Sequence, residues 1–575
     1  MNNRPAWLAL PPILLVLLAG VQLAHGGVFY AQWAQDIFIP LEGVVHLQHG
    51  QWPHRDFGTP VGALYYAIHY LPTLVAPLSA RTIVHANLLV ALTASLATLR
   101  VGRSRLPLWA TTLAAVYVGL LALSPRQLGK AVTDITYNAA YNRYGWSLIC
   151  VLALVAMLPR PTPTLTPTRA QARDGAATAI LLALLFTLKI TYFAAGAALV
   201  AIAMVTVRRR ASAPFGLAAL AVFAAAIALF EVTTGLLAPY FADLRNAALV
   251  LQGSARTSHV AAITLASLPG GVLVVLLARQ REGGLRGGGL PVLAAALATV
   301  FAGLAIGMQN HHALENPLVP IALLIAWFGA RPPQDTARTP RNTLACVAIA
   351  AGFMVPLTMD TAASVYAGTA PAARGGQVDW LATTPLRDLR LMDVALPPQG
   401  APTTGLHSDV AFAAVLFDGV TLLRRHLHGS TTATVLPLTW SNPFPLLLGL
   451  PPVRHELAWW DRDRTFDLRH KPDPATLLAG VDYVMIPTRY FNLESSRAMR
   501  AAYAAALNRD FRPAGRSRFW LLLARRDCAA RERCQHPGAL LKPLPFRGGV
   551  GVGKSVPEPS SRPHKNQADE PSKSR

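Results

Sequence analysis

The sequence predicts a mainly α fold: a polytopic bundle of about eleven transmembrane helices followed by a C-terminal extracytoplasmic α/β domain. Three observations predict it. Of 575 residues, 53% are hydrophobic and only 14% charged, which excludes an ordinary soluble enzyme. Apolar runs of membrane-spanning length recur between Trp7 and Thr358, without the alternation of a β-barrel. Beyond Ala363 the runs shorten and Trp, Pro, Asp and Arg become common. The chain therefore divides into a membrane module, 1–362, a soluble domain, 363–543, and a tail, 544–575, whose Gly, Pro, Ser and charge predict disorder.

The first run, Trp7 to Val28, has the alternative reading of a secretory signal. Its apolar core is long and no small-residue cleavage site precedes the polar stretch, so it is a retained helix. An outer loop, 30–60, follows, with Asp36, Glu42, His46, His49, His54, Arg55 and Asp56 crowded between two membrane-length stretches. Ionisable groups at a membrane edge are costly and mark function. Val61 to Leu99 has room for two crossings, and Ala176 to Val207, broken by Lys189, is one crossing or two. Leu106 to Ser124, Phe215 to Leu237, Val260 to Ala278, Leu290 to Met308 and Leu344 to Thr358 are further spans.

A net charge of +23 would point to nucleic acid in a soluble protein. Here it gathers in short interhelical loops: Arg100, Arg103 and Arg105; Arg208 to Arg210; Arg279, Arg281 and Arg286; Arg331, Arg338 and Arg341. The positive-inside rule places these in the cytoplasm and removes nucleic acid as a partner. The N-terminus is then inside, while 30–60, 125–143, 240–258, 309–316 and everything after about Thr361 are outside.

In the soluble domain Val481 to Ile486 and Phe519 to Ala524 read as buried strands, with Ser495 to Leu507 a Ser-capped helix between them. Cys528 and Cys534 are either a small disulfide loop or two free thiols, and Cys150 and Cys346 are small core residues. Core packing is the better reading of Trp440, Trp459 and Trp460 than stacking on sugar rings. Two motifs mislead. Gly548, Gly553, Lys554 and Ser555 spell a phosphate loop, but Val556-Pro557-Glu558-Pro559 forbids the helix that must follow. His54-Arg55-Asp56-Phe57-Gly58 overlaps two kinase signatures that a kinase keeps apart.

The first outer loop pairs Asp36 with Gly50, the Arg55-Asp56-Phe57 cluster, and Pro60 with Gly62 opening the next helix. Tyr141-Asn142-Arg143 stands in the second outer loop, Lys189 in a helix break, and Asn310 to Glu315 at a later helix edge. This layout resembles the GT-C glycosyltransferases, membrane enzymes that move sugars from polyprenyl-phosphate carriers, among them aminoarabinose and protein mannosyl transferases. The resemblance implies an inverting transferase of a bacterial inner membrane, with a polyprenyl-phosphate-linked sugar donor and the lipid bilayer as partners. It makes Asp36 the base, and His54, Arg55, Asp56, Arg143, Lys189, Asn310, His311 and Glu315 the substrate-binding set.

A polyprenyl phosphate is already an activated leaving group, so a base and charge stabilisation suffice. Partial desolvation raises the pKa of Asp36 towards the range where it accepts a hydroxyl proton. Arg55, Arg143 and Lys189 would offset the charge growing on phosphate. No cofactor is required; a divalent metal stays open, and Ile37 stands where better-known members carry a second acid. The histidines at 46, 49, 54, 311 and 312 show no diagnostic ligand interval and give no metal site. Duller roles exist for each residue: a helix cap for Asp36, pairing of Arg55 with Asp56, snorkelling for Lys189, a helix anchor for Arg143. The rival class is a non-enzymatic transporter or lipid flippase, for which internal repeats and mid-membrane charges are expected. No repeat is evident.

Overall fold

The computed structural model describes residues 4–31, 33–137, 139–160, 167–209, 212–251, 257–280, 289–308, 315–329, 340–373, 375–377, 379–392, 409–489 and 493–527, all within one compact unit, Met1–His536. Helix α1 (Arg4–Gln22) leads into strand β1 (Val28–Tyr30), a 3-10 turn (Ala34–Ile37) and α2 (Phe38–Gln48). There follow α3 (Ala63–Tyr70), α4 (Arg81–Gly102), α5 (Leu108–Leu123), α6 (Ala140–Met157), α7 (Pro167–Leu188) and α8 (Ile190–Val205). The bundle closes with α9 (Ser212–Thr234), α10 (Leu237–Val250), α11 (Thr257–Arg279), α12 (Leu290–Met308), α13 (Val319–Phe328) and α14 (Pro340–Ala373).

Among the described residues six helices are long and apolar enough to cross a membrane, within α4, α7, α9, α11, α12 and α14, and four shorter apolar helices lie in α1, α5, α8 and α13. Leu217, Leu220, Leu229 and Val232 of α9 turn outward with 64–85% of their surface exposed, a face that suits lipid rather than water.

The elements revise some of these expectations and complete others. The stretch 30–60 is not an irregular loop: α2 occupies its centre, and Phe38 to His46 are all buried. Val61 to Leu99 yields one short helix, α3, and one long one, α4. Ala176 to Val207 divides at Lys189 into two packed helices, α7 and α8. Helix α14 runs for 34 residues and passes without interruption through position 362.

Past α14 two sheets form. In the first, β1 pairs in parallel with β3 (Leu389–Met392), which pairs antiparallel with β2 (Gly375–Gln377). Helix α15 (Asp409–Leu427) follows, then strand β4 (Val435–Pro437) and two one-turn helices, α16 (Phe444–Leu448) and α17 (Pro474–Leu478). The second sheet has the order β4, β5 (Tyr483–Pro487), β7 (Trp520–Arg525) and β6 (Phe511–Arg516), with α18 (Leu493–Asp510) before β6. Helix α18 starts at Leu493, so Ser495 is inside it and its Oγ accepts from Arg462 N at 3.0 Å instead of capping. The run YVMIP of β5 is buried at every position because both sheet faces are covered. Tyr483, Met485, Trp520 and Leu522 pack into the main core, while Val484, Ile486 and Leu523 pack against α18.

The C-terminal part grips the first polar segment. Leu446 N donates to Glu42 Oε1 at 3.1 Å and Gln51 Nε2 to the Pro452 carbonyl at 3.2 Å. Gly58 N donates to the Glu456 carbonyl at 2.8 Å, and Ala458 N to the Gly58 carbonyl at 2.9 Å. Glu456 stands 3.4 Å from His46 Nε2 and accepts from Asn442. At the other end of the bundle, Asp174 of α7 takes Arg105 at 2.6 Å, Arg208 at 3.0 Å and Arg160 at 3.1 Å. Arg105 and Arg208 also donate to the carbonyls of Leu158 and Ala156, where the C-terminus of α6 favours positive charge.

Two outcomes follow from these buried ionic groups. Asp174→Ala leaves two buried guanidiniums uncompensated, at a cost of about 3–5 kcal/mol, and lowers the thermal midpoint of the purified protein; Asp510→Ala, at an exposed pair, leaves it in place. Burial, reinforced by Glu456, holds the Glu42 carboxyl well above the usual range, and burial raises Glu456 despite His46. Acids raised in the folded state stabilise while protonated, and that contribution fades as pH climbs through their folded pKa values. Hydrogen-exchange protection of 38–48 is therefore expected to fall as pH rises above the ordinary carboxylate range, and Glu42→Gln to flatten the decline.

Candidate functional site

Asp36 sits in the 3-10 turn between β1 and α2, buried, its N–H donating to the Trp33 carbonyl at 3.0 Å. Trp33 precedes the turn with φ of 61°, a left-handed conformation uncommon outside glycine. Asp36 is therefore within the turn, and the cap position belongs to Trp33.

The start of α6 lies within electrostatic reach of this turn. Tyr141 and Asn142 stand in its first turn, and Tyr65 of α3 meets Tyr141 edge to face at 5.3 Å and Tyr66 at 5.3 Å. Lys189 occupies the single-residue break between α7 and α8, extended at φ −164°, and Gly62 N donates to the Leu188 carbonyl beside it at 2.9 Å. Its Nζ donates to Asn142 Oδ1 at 2.8 Å and stands 5.0 Å from the Tyr141 ring centre, a cation–π geometry. Burial, then the charge of Arg464, pulls the Lys189 ammonium down to about 7. Burial pushes the Tyr141 hydroxyl up to about 12; Arg464 opposes that, while Asp36 and Asp461 add to it. Tyr141 thus has both an acid and a cation in its electrostatic neighbourhood, the three groups coming from three separate places in the chain.

The remaining candidates form other groupings. Arg143 gives its guanidinium to the Arg126 and Leu121 carbonyls and to Asp360 Oδ1 at 3.1 Å. Arg126, fully buried, grips Glu315 with both terminal nitrogens at 2.6 and 3.0 Å and reaches Asp360 at 3.2 Å. Arg126 and Asp360 escaped sequence reading; the signal was a lone acid in the apolar α14 and an arginine directly after an apolar run. His54, at φ 70°, donates from Nδ1 to Asp243 Oδ2 at 2.8 Å, and Asp243 also takes the Thr59 N–H. Arg55 pairs with Asp56 at 3.1 Å, and Asp56 binds Arg454 at 3.0 Å on the C-terminal part. Asn310, His311 and His312 lie outside the described residues, as do Cys528, Cys534 and the tail from 544.

Trp460 is buried against Phe466 and Tyr503, in keeping with core packing. Among the described residues no three His, Cys, Asp or Glu side chains come together as metal ligands. Asp36 is followed by buried Ile37, and no step is routed through a divalent ion.

No family model and no curated protein matches this chain. Among solved structures it is similar to ArnT from Cupriavidus metallidurans bound to undecaprenyl phosphate, with 11% identity over 91% of this chain and 98% of that one and a TM-score of 0.47. The apo form of ArnT gives 12% identity, the same coverage and a TM-score of 0.47. The arabinofuranosyltransferase AftD from Mycobacteria is 15% identical over 91% of this chain and 42% of that one, with a TM-score of 0.41.

Proposed function

We propose that this chain is a membrane glycosyltransferase that moves a sugar from a polyprenyl-phosphate donor to a lipid, glycan or protein acceptor on the outer face of a bacterial inner membrane. The observation that carries the reading is the placing of the Lys189 ammonium against Tyr141 and Asn142, with buried Asp36 in electrostatic reach of the same tyrosine, at one end of an apolar helix bundle. A lipid-linked donor arrives in the bilayer with its phosphate at the headgroup level, and a transferase acting on it needs a base and a cation there.

In the proposed step the acceptor hydroxyl attacks the anomeric carbon opposite the phosphate. Asp36 takes the hydroxyl proton, a glycosidic bond forms, and the carbon–oxygen bond to phosphate breaks with its electron pair leaving on the polyprenyl phosphate. The phosphate changes from a singly charged diester to a monoester with more negative charge, and the Lys189 ammonium offsets the difference. Inversion at the anomeric carbon results. Asn142 and Tyr141 hold Lys189 in place. His54, Arg55 and Asp56 shape the first segment through Asp243 and Arg454, and Arg143 with Glu315 fixes the start of α6 through Asp360 and Arg126.

The deciding test is a lipid-linked sugar turnover assay on the purified protein. Asp36→Asn, isosteric but unable to accept the proton, is expected to lower kcat by about 10²–10⁴-fold with little change in donor binding; unaltered turnover would remove Asp36 as the base. Binding of a polyprenyl methyl phosphodiester, which keeps one negative charge throughout, should weaken as pH rises through about 7 and Lys189 loses its proton. Lys189→Arg, always charged, should abolish that dependence, and a flat wild-type profile would exclude Lys189 as the phosphate's cation.

A further inference from the structure

Helix α4 carries a surface stripe with charge at both ends. Arg81, His85, Leu89, Thr93, Leu96 and Arg100 recur three or four residues apart and stay wholly or partly exposed, while most residues between them are buried. At 1.5 Å of rise per residue, Arg81 and Arg100 lie about 28 Å apart along the axis, close to the hydrocarbon thickness of about 30 Å. The stripe therefore suits lipid, with Arg81 at the level of the headgroup phosphates. Asp388, just before β3, is committed to the first turn of α4: it accepts from Ala80 N at 3.0 Å and Arg81 N at 2.9 Å. Arg81 Nε stands 3.5 Å from the same carboxylate, and Arg81 Nη2 donates to the Gly26 carbonyl at 2.5 Å. Arg390 of β3 is oriented by its Nη1, which donates to the Arg387 carbonyl at 3.0 Å. Gly26 itself is exposed, at φ 75°. Among the described residues outside its chain neighbours, a Cβ placed on it would meet only Arg81 Nη2 at 3.8 Å and Arg390 Nη2 at 3.9 Å. An open surface point is thus bracketed by two guanidiniums from different elements. Arg81, Arg387 and Arg390 against Asp388 leave a local excess of positive charge.

We propose that Arg81 and Arg390 clamp the phosphate of an anionic phospholipid headgroup over Gly26, with the turn before α4 seated in the acyl layer. That turn, a 3-10 segment at Leu71–Leu74, packs against α4, and Leu71, Leu74 and Val75 expose 48, 62 and 90% of their surface. Apolar side chains this open, joined to a basic helix end, belong at the boundary between acyl chains and headgroups. Guanidinium forks match phosphate oxygens, and two of them with an excess of positive charge favour a headgroup of net negative charge. A zwitterionic headgroup brings a cation of its own, which the arginines repel. Because Arg81 opens a membrane helix and Arg390 lies on β3, the bound lipid ties the C-terminal part of the chain to the bilayer rim. None of Asp36, Tyr141 and Lys189 takes part, so the site stands whether or not sugar transfer occurs.

The test uses the full chain in nanodiscs of phosphatidylcholine, with or without phosphatidylglycerol, and an arginine-selective dicarbonyl reagent read site by site by mass spectrometry. In wild-type protein, phosphatidylglycerol is expected to slow labelling of Arg81 and Arg390 by about fivefold or more, while exposed Arg469 on the C-terminal part reacts alike in both discs. Arg390→Gln should return Arg81 labelling in phosphatidylglycerol discs towards its rate in phosphatidylcholine, and Arg390→Lys should retain part of the protection. Val75→Asp, at a side chain with few contacts to lose, should weaken the protection of both arginines without changing Arg469. The wild-type comparison needs no variant to fold. Equal labelling of Arg81 and Arg390 in the two discs, or Arg81 protection that survives Arg390→Gln in full, would overturn the clamp. Inorganic phosphate added to phosphatidylcholine discs should protect neither residue; protection equal to that given by phosphatidylglycerol would overturn the lipid as the source of the phosphate.

Discussion

The arrangement depends on one constraint: the polar segment after α1 is buried, and its hydrogen-bonding groups must find partners in the C-terminal part of the chain. Val28 N donates to the Asp388 carbonyl at 2.8 Å and β1 joins β3, 361 residues downstream at Leu389 in register with Val28. Glu42, Gln51, Asp56 and Gly58 are then met by Leu446, Pro452, Arg454 and Glu456. A buried polar group without a partner costs about 1–3 kcal/mol, so a set of this size cannot be left unmet. The segment that carries Asp36 is consequently held by a part of the chain that lies, at Leu446, more than 400 residues away from its partner Glu42.

The bundle beneath is held rigid by two clusters of buried charge, each centred on one aspartate. Asp174 gathers Arg105, Arg160 and Arg208 at one end, and Asp360 gathers Arg126 and Arg143 at the other. In a low-dielectric interior such pairs gain little net stability over apolar packing but are costly to break singly, so they specify register more than they add cohesion. Four helix ends, those of α4, α6, α7 and α8, meet at Asp174 through three arginines. Arg126 and Arg143 do the same for the α5–α6 connection and α14, which fixes the first turn of α6 and with it Tyr141 and Asn142.

Much of this was legible. Apolar runs located α5, α9, α11 and α12, and the two strands at 483–487 and 520–525 were visible as short apolar segments with bulky residues. The break at Lys189 also read correctly as a discontinuity, because an ammonium amid apolar residues is costly unless the chain opens there to give it polar partners. What did not read was partnership. Helix α2 was hidden because every side of FIPLEGVVH is buried, which erases the amphipathic period that marks a helix, while Glu42 and His46 gave the segment a loop-like polarity. Arg126, Asp243 and Asp360 take their roles from contacts spanning 189 to 234 residues, far beyond any local pattern. Ser495 looked like a cap since Ser favours that position, but the helix begins two residues earlier and the hydroxyl serves the Arg462 turn instead.

Lys189 shows how backbone geometry delivers a single charge. A Cβ at Gly62 would stand 2.0 Å from the Thr187 carbonyl oxygen, so only glycine lets the segment before α3 approach the end of α7 this closely. That approach gives the Leu188 carbonyl an acceptor role towards Gly62 N at the point where the helical ladder stops. Lys189 then leaves helical geometry, adopts an extended backbone, and its side chain meets Asn142 and Tyr141 on α6. In an unbroken helix the residue would instead follow the α7 face, with its ammonium carried along the helix surface. The glycine that opens α3 and the lysine that separates α7 from α8 thus act as one device, the first making room for the break and the second using it to place a cation against Asn142 and Tyr141 at the start of α6.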